Sequence, residues 1–309
     1  MVSGSRSGVL YGVGAYALWG IFPLYIKLLD ETGAIEILAH RVVWSLVLVL
    51  GLLAVVRHVG RLRTLGRRAY GLLTLAALLI CVNWGVYIWA VNNDHIVETA
   101  LGYFINPLVT VLLGVLVFGE RLRWLQWSAL GLALVAVVVL TVDYGRPPWI
   151  ALTLAFSFGA YGLVKKKANV DAVESLAVET AVLFVPCLAY LLVLGATDAG
   201  DFVSAGWGTT LLLAGCGIVT AVPLLCFGAA AVRVPLTTLG TLQYLTPTLQ
   251  FLLGVLVYRE TVPPVRWVGF ALIWLALVVL TAEVLVRRRR ERRAALDRLV
   301  LDPAATAAR

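Results

Sequence analysis

Charge is scarce in this chain of 309 residues. Asp, Glu, Lys and Arg supply 14% of it, against 61% for the apolar set, and mean hydropathy is +0.94. Most side chains therefore cannot face water, which excludes a soluble enzyme or scaffold domain. Three histidines and four cysteines are too dispersed for a metal cluster. Cys81, Cys187, Cys216 and Cys226 all fall inside apolar stretches, as small core residues rather than disulfide partners or ligands. No GxxxxGK[ST] stretch is present, so direct ATP drive is excluded, and neither HExxH nor paired aspartates supply peptidase chemistry. No metal or other cofactor is implied.

What fills the chain instead is apolar runs of membrane length. A hydrocarbon core about 30 Å thick takes roughly 20 helical residues. Ten such windows are predicted near 8 to 29, 35 to 56, 70 to 91, 97 to 118, 124 to 142, 148 to 165, 173 to 194, 208 to 230, 235 to 258 and 264 to 285. Short connections leave no room for a separate soluble domain. The first window follows a brief leader with one Arg and lacks a small-residue cleavage motif, so it is expected to be a retained span.

With the N-terminus in the cytoplasm, twenty of the 25 Lys and Arg residues fall on inside segments, three (Arg146, Arg259, Arg266) fall outside, and Lys27 and Arg41 lie within spans. That imbalance predicts both termini cytoplasmic. The net charge of +8 is thereby a topology signal and an attraction to anionic lipid, with no need of nucleic acid. The tail RRRRERRAALDRL is expected to run on as a short basic helix along or below the membrane surface.

The second five spans echo the first five. LLGVLVFGE from Leu112 to Glu120 returns as LLGVLVYRE from Leu252 to Glu260, with Trp127 and Trp267 at matched distance and Pro107 and Pro247 also 140 residues apart. An odd number of spans per half inserts the second half upside down, the inverted-repeat plan of many carriers, whose substrate site lies near the midplane. The fold expected is an all-α integral membrane protein of ten transmembrane helices. Residues 1–143 and 144–286 form two inverted five-helix repeats, and 287–309 a basic cytoplasmic tail.

Residues ill suited to lipid mark candidate sites. Midspan proline removes a backbone donor, so Pro107 and Pro247 are expected to loosen the carbonyls of Tyr103 and Gln243. With Asn106 and Tyr244 these form a polar ring. Asn83 and Tyr87 share a helical face with Trp84 beside them, and Tyr16, Trp19 and Tyr161 complete an aromatic pocket suited to an amphipathic solute or cation. His40 and Arg41 begin about 9 Å inside the outer boundary, where Arg41 either snorkels or serves a gate. The repeat maps Arg41 onto Glu179, but inversion leaves an axial gap on the order of 12 Å between them. Separate gates with local partners follow, and Glu179 and Glu98 are the carboxylates able to carry a coupling proton. A facilitator without coupling is the other reading.

HRVVWS at His40, NWGVYIWAVNN at Asn83, LGYFINPL at Leu101, YGLVKKK at Tyr161, Glu179-Thr180, VPLLCF at Val222 and the TLGTLQY series from Thr238 together resemble the RarD branch of the EamA-like transporters, in the drug/metabolite transporter superfamily. The resemblance spans nearly the whole chain before Arg287. It implies a permease of the bacterial inner membrane for small metabolites or drugs, with a cavity drawn from spans 1 to 4 and 6 to 9 and with spans 5 and 10 peripheral. The expected partners are a small-molecule substrate and the lipid bilayer, and no sequence feature sets an oligomeric state. The competing class, an intramembrane enzyme acting on a lipid or peptide, would have to use His40 with Ser157 or Ser45.

Overall fold

A computed structural model describes residues 2–55, 62, 65–118, 122–231, 233–234 and 242–301. The protein is all-helical, with no strand among the described residues. In order, the helices are α1 (Val2–Gly20), α2 (Phe22–Lys27), α3 (Ala34–Val55), α4 (Arg67–Asn92), α5 (Ile96–Phe118), α6 (Trp124–Tyr144), α7 (Trp149–Ala168), α8 (Ala172–Ala196), α9 (Trp207–Ala231), α10 (Leu245–Leu252) with a π-helical continuation (Leu253–Val257), and α11 (Pro264–Leu301). Eight of the described helical segments are long and apolar enough to cross a bilayer, and Trp149–Lys165 and Leu245–Val257 are shorter apolar helices. Leu10, Val55, Leu116, Val142, Val185 and Leu211 stand open on their surfaces, as side chains solvated by lipid must.

The chain divides into two compact units, Met1–Leu113 with Pro148–Val262, and Gly114–Pro147 with Pro263–Arg309. Within the first, helices of the N-terminal half take their main partners from the C-terminal half: α1 packs on α9 and α10, α3 on α8 and α9, and α4 on α7 and α8. Lipid gives helices no hydrophobic reason to associate, so close packing at small residues does that work. A Cβ on Gly217 of α9 would stand 2.7 Å from the Trp44 backbone of α3, and one on Gly102 of α5 would stand 2.8 Å from the Ala151 carbonyl oxygen of α7. In the second unit α6 packs along α11, where Gly269 leaves room for Leu140 and Arg266 Nε donates to Asp143 Oδ2 at 2.7 Å.

Two expected elements change. The first span is jointed: α1 ends at Gly20 and α2 begins at Phe22, with Pro23 at its start. Proline has no N–H to give the carbonyl four residues back, so Trp19 is left without a helical donor at this joint. In the ninth span Leu242 is helical, Gln243 and Tyr244 form a turn, and α10 begins at Leu245. Pro235 to Thr241 lie outside the described residues, as does Glu120 of the repeated string. Pro247 is therefore not in mid-helix. It occupies the third position of α10, where a missing N–H costs nothing because the first turn has no carbonyl to serve. The tail runs on as a helix as expected, since α11 continues through it to Leu301.

Candidate functional site

Arg41 is the deepest cation of the first unit. It lies on the second turn of α3, 5% exposed, its guanidinium 3.9 Å from the Trp84 ring centroid and 4.8 Å from that of Phe22. Nε donates to Thr220 Oγ1 of α9 at 2.9 Å. Snorkelling is thus not its state. Each aromatic face is worth about 2 kcal/mol to a desolvated cation, whereas an uncompensated buried ion costs several kcal/mol. Nearby, the His40 ring lies 4.7 Å from that of Phe202, and Glu36, 4.0 Å from His40 Nε2, accepts the backbone N–H of Asp201 at 2.8 Å.

From Phe22 a ladder of rings leads away through the unit. Phe22 stacks on Tyr87 at 5.9 Å, Tyr87 tilts against Tyr103 at 5.9 Å, Tyr103 meets Phe158 edge-on at 6.2 Å, and Phe158 lies 5.9 Å from Tyr161. The polar tips are satisfied sideways. Tyr103 donates to Asn83 Oδ1 at 3.3 Å, and Asn83 Nδ2 donates to the Leu154 carbonyl and Ser157 Oγ, both at 3.0 Å. Asn106 Nδ2 donates to the Ala155 carbonyl at 3.0 Å, so its amide ties α5 to α7.

The ladder ends at Glu179 of α8, 2% exposed. Its carboxylate accepts from Tyr161 Oη at 3.0 Å, Lys165 Nζ at 2.9 Å and Ser175 Oγ at 2.6 Å. Between them the three donors reach both carboxylate oxygens. Arg41 and Glu179 share no partner. Glu98 is buried in the first turn of α5, where the helix dipole suits a negative charge. The cap of that helix is Glu260, which accepts the N–H of Ile96 at 2.6 Å and of Val97 at 2.9 Å. Burial outweighs those two bonds and pushes the Glu260 carboxyl up to about 7.

Tyr16 and Trp19 belong to a neighbouring cluster with Phe227, ring centroids 5.7 to 6.1 Å apart. Gln250 of α10 joins it to the ladder, donating to the Trp19 carbonyl at 3.2 Å and to Tyr87 Oη at 3.1 Å. That carbonyl is the one Pro23 leaves without a helical donor. Thr246 Oγ1 likewise donates to the Tyr16 carbonyl at 2.8 Å. Gln243 and Tyr244 are half-buried in the turn before α10, and Pro107 sits inside an unbroken α5.

Phe22, Thr220, Phe158, Lys165 and Gln250 were not singled out by the sequence. Pro23 beside Trp19 was a readable signal for a carbonyl needing a partner, and Gln250 lay two turns from Gln243. Ser157 Oγ donates to the Thr153 carbonyl at 2.6 Å, and no hydrogen bond pairs it with His40 among the described residues.

Buried charges and amides on bilayer-length helices define a multi-pass membrane protein with polar groups in its interior. The chain belongs to the EamA-like transporter family, whose model matches it twice, over residues 6–142 and 147–282. It is 59% identical to protein RarD of Streptomyces exfoliatus over 93% of this chain and 92% of that one. Identity to an uncharacterized transporter of Vibrio cholerae is 45%, over 94% and 97%. A solved crystal structure with 20% identity and a TM-score of 0.59, covering 92% of this chain and 98% of its own, shares the fold.

Proposed function

We propose that this protein is a secondary transporter that moves a small organic solute across the bacterial inner membrane by alternating access between two inverted five-helix repeats, both termini cytoplasmic. The observation that carries the reading is the aromatic ladder, which links two buried charged centres, Arg41 and Glu179, some four ring spacings apart. Under the predicted orientation Arg41 belongs to the outer gate and Glu179 to the inner one. The interlocking of the two halves, α1 on α9 and α4 on α7, supports rocking of one against the other.

Glu179 is the carboxylate we assign to a coupling proton, because it is buried at the end of the ladder with Tyr161, Ser175 and Lys165 all within hydrogen-bond reach. The test is uptake into liposomes of solutes first selected by thermal shift among amino acids, nucleosides and amphenicol-like drugs. Glu179→Gln should flatten the pH dependence of uptake, and an unchanged pH profile removes the proton role. Turnover of a lipid or peptide that disappears in Ser157→Ala would replace transport with enzymatic chemistry.

A further inference from the structure

Whereas Lys27 pairs with Asp94, Lys165 with Glu179 and Arg266 with Asp143, among the described residues no carboxylate forms a salt bridge with Arg41. Its single hydrogen bond uses Nε, which leaves the two terminal nitrogens, the fork that matches a carboxylate, uncommitted. A guanidinium cannot escape burial by giving up its proton. One helical turn further along the same face of α3, the Ser45 hydroxyl is fully buried and has no hydrogen-bond partner. Polar groups so placed are otherwise satisfied. Two unmet donors on one face of α3, with the guanidinium lying against the rings of Phe22 and Trp84, are complementary to an anion attached to an apolar body.

We propose that Arg41, with Ser45 beside it, is the anion subsite of the solute path, and that the transported solutes are small organic carboxylates with an aromatic or aliphatic body. This rests on the transport reading and gives it a substrate class. It also reverses the expectation of a cationic solute, because the faces of Trp84 and Phe22 are already occupied by the protein's own cation.

The test holds the ring constant and changes the charge: binding of phenylacetate, phenylacetamide and phenethylamine to the purified full-length chain in micelles, at millimolar concentration, for the native protein and for Arg41→Met, Arg41→Lys and Ser45→Ala. Native protein should prefer the anion over the amide by about tenfold. Arg41→Met should abolish that preference while still binding the amide, Arg41→Lys should keep part of it, and Ser45→Ala should reduce it. Removing a buried charge that no described carboxylate pairs should also raise the melting temperature of ligand-free Arg41→Met. No binding of phenylacetate, an anion preference that survives Arg41→Met, a preference for phenethylamine, or a lowered melting temperature in Arg41→Met overturns the proposal. Binding needs no vectorial movement, so a protein that selects the anion yet moves nothing into liposomes would defeat the transport reading and leave the subsite standing.

Discussion

Replacing Glu260 separates two effects that a single carboxylate combines. Its oxygens accept the N–H groups of Ile96 and Val97, and Ile96 is wholly buried, so Glu260→Ala strands donors that no water reaches. A lost cap costs about 1 kcal/mol and an unsatisfied buried donor about 1 to 3 kcal/mol. Glu260→Ala should therefore lie roughly 2 to 4 kcal/mol below the native protein near pH 5, with the gap narrowing as pH climbs past 7. Charge acts differently. Burial and the nearby Asp94 raise the Glu260 carboxyl to about 7, against the opposing pull of the two N–H groups and Lys27. A group whose folded pKa exceeds its unfolded one contributes stability below the unfolded value, near 4.5, and loses it as pH climbs through 7. The displacement corresponds to about 2 to 3 kcal/mol after allowance for screening at this half-buried position. Glu260→Gln keeps one acceptor and cannot ionise. It should match the native protein near pH 5, show no slope between pH 5 and 8, and exceed the native protein at pH 8. Thermal unfolding of purified protein across that range reads both effects. Coincident pH slopes for native and Glu260→Gln, or an unaltered midpoint in Glu260→Ala, would refute the reasoning.

Gly217→Ala should lower stability by about 2 kcal/mol or more, because its Cβ would meet backbone atoms of Trp44 at 2.7 Å. Gly131→Ala meets nothing within 4 Å and should gain up to about 1 kcal/mol from helix propensity; melting temperatures that move alike in the two variants would contradict the packing argument. Gln250→Leu leaves the Trp19 carbonyl without a donor and should cost about 1 to 2 kcal/mol, with slowed solute uptake in liposomes. An unchanged melting temperature would show that α10 is held to α1 by packing alone.

Hydropathy summed over twenty residues locates a span whatever its neighbours do, which is why nine of the ten windows match the described helices closely, the ninth lying partly outside the described residues. Proline position was legible only in part. Pro107 and Pro247 share a place in the repeat, yet one lies within a helix and the other opens one, because Gln243 and Tyr244 turn before α10 starts at Leu245. Rotation of each helix about its axis was not legible. These helices are apolar nearly all round, so no stripe says which way Arg41 or Asn106 points. The contacts that fix them, Arg41 with Thr220 or Gln250 with Tyr87, join residues 179 and 163 positions apart. The repeat itself carried one finer message. Arg259 adopts a left-handed φ of 52° at the place where the first copy has Gly119, the residue that takes such a conformation without strain.

The joint at Pro23 leaves α10 hooked onto α1 by two light catches, Thr246 on Tyr16 and Gln250 on Trp19. Catches worth about 1 kcal/mol apiece yield to ordinary thermal jostling, so as far as polar fastening goes roughly one molecule in thirty would have them undone at any instant. A joint pinned this way parts and re-forms on heat alone.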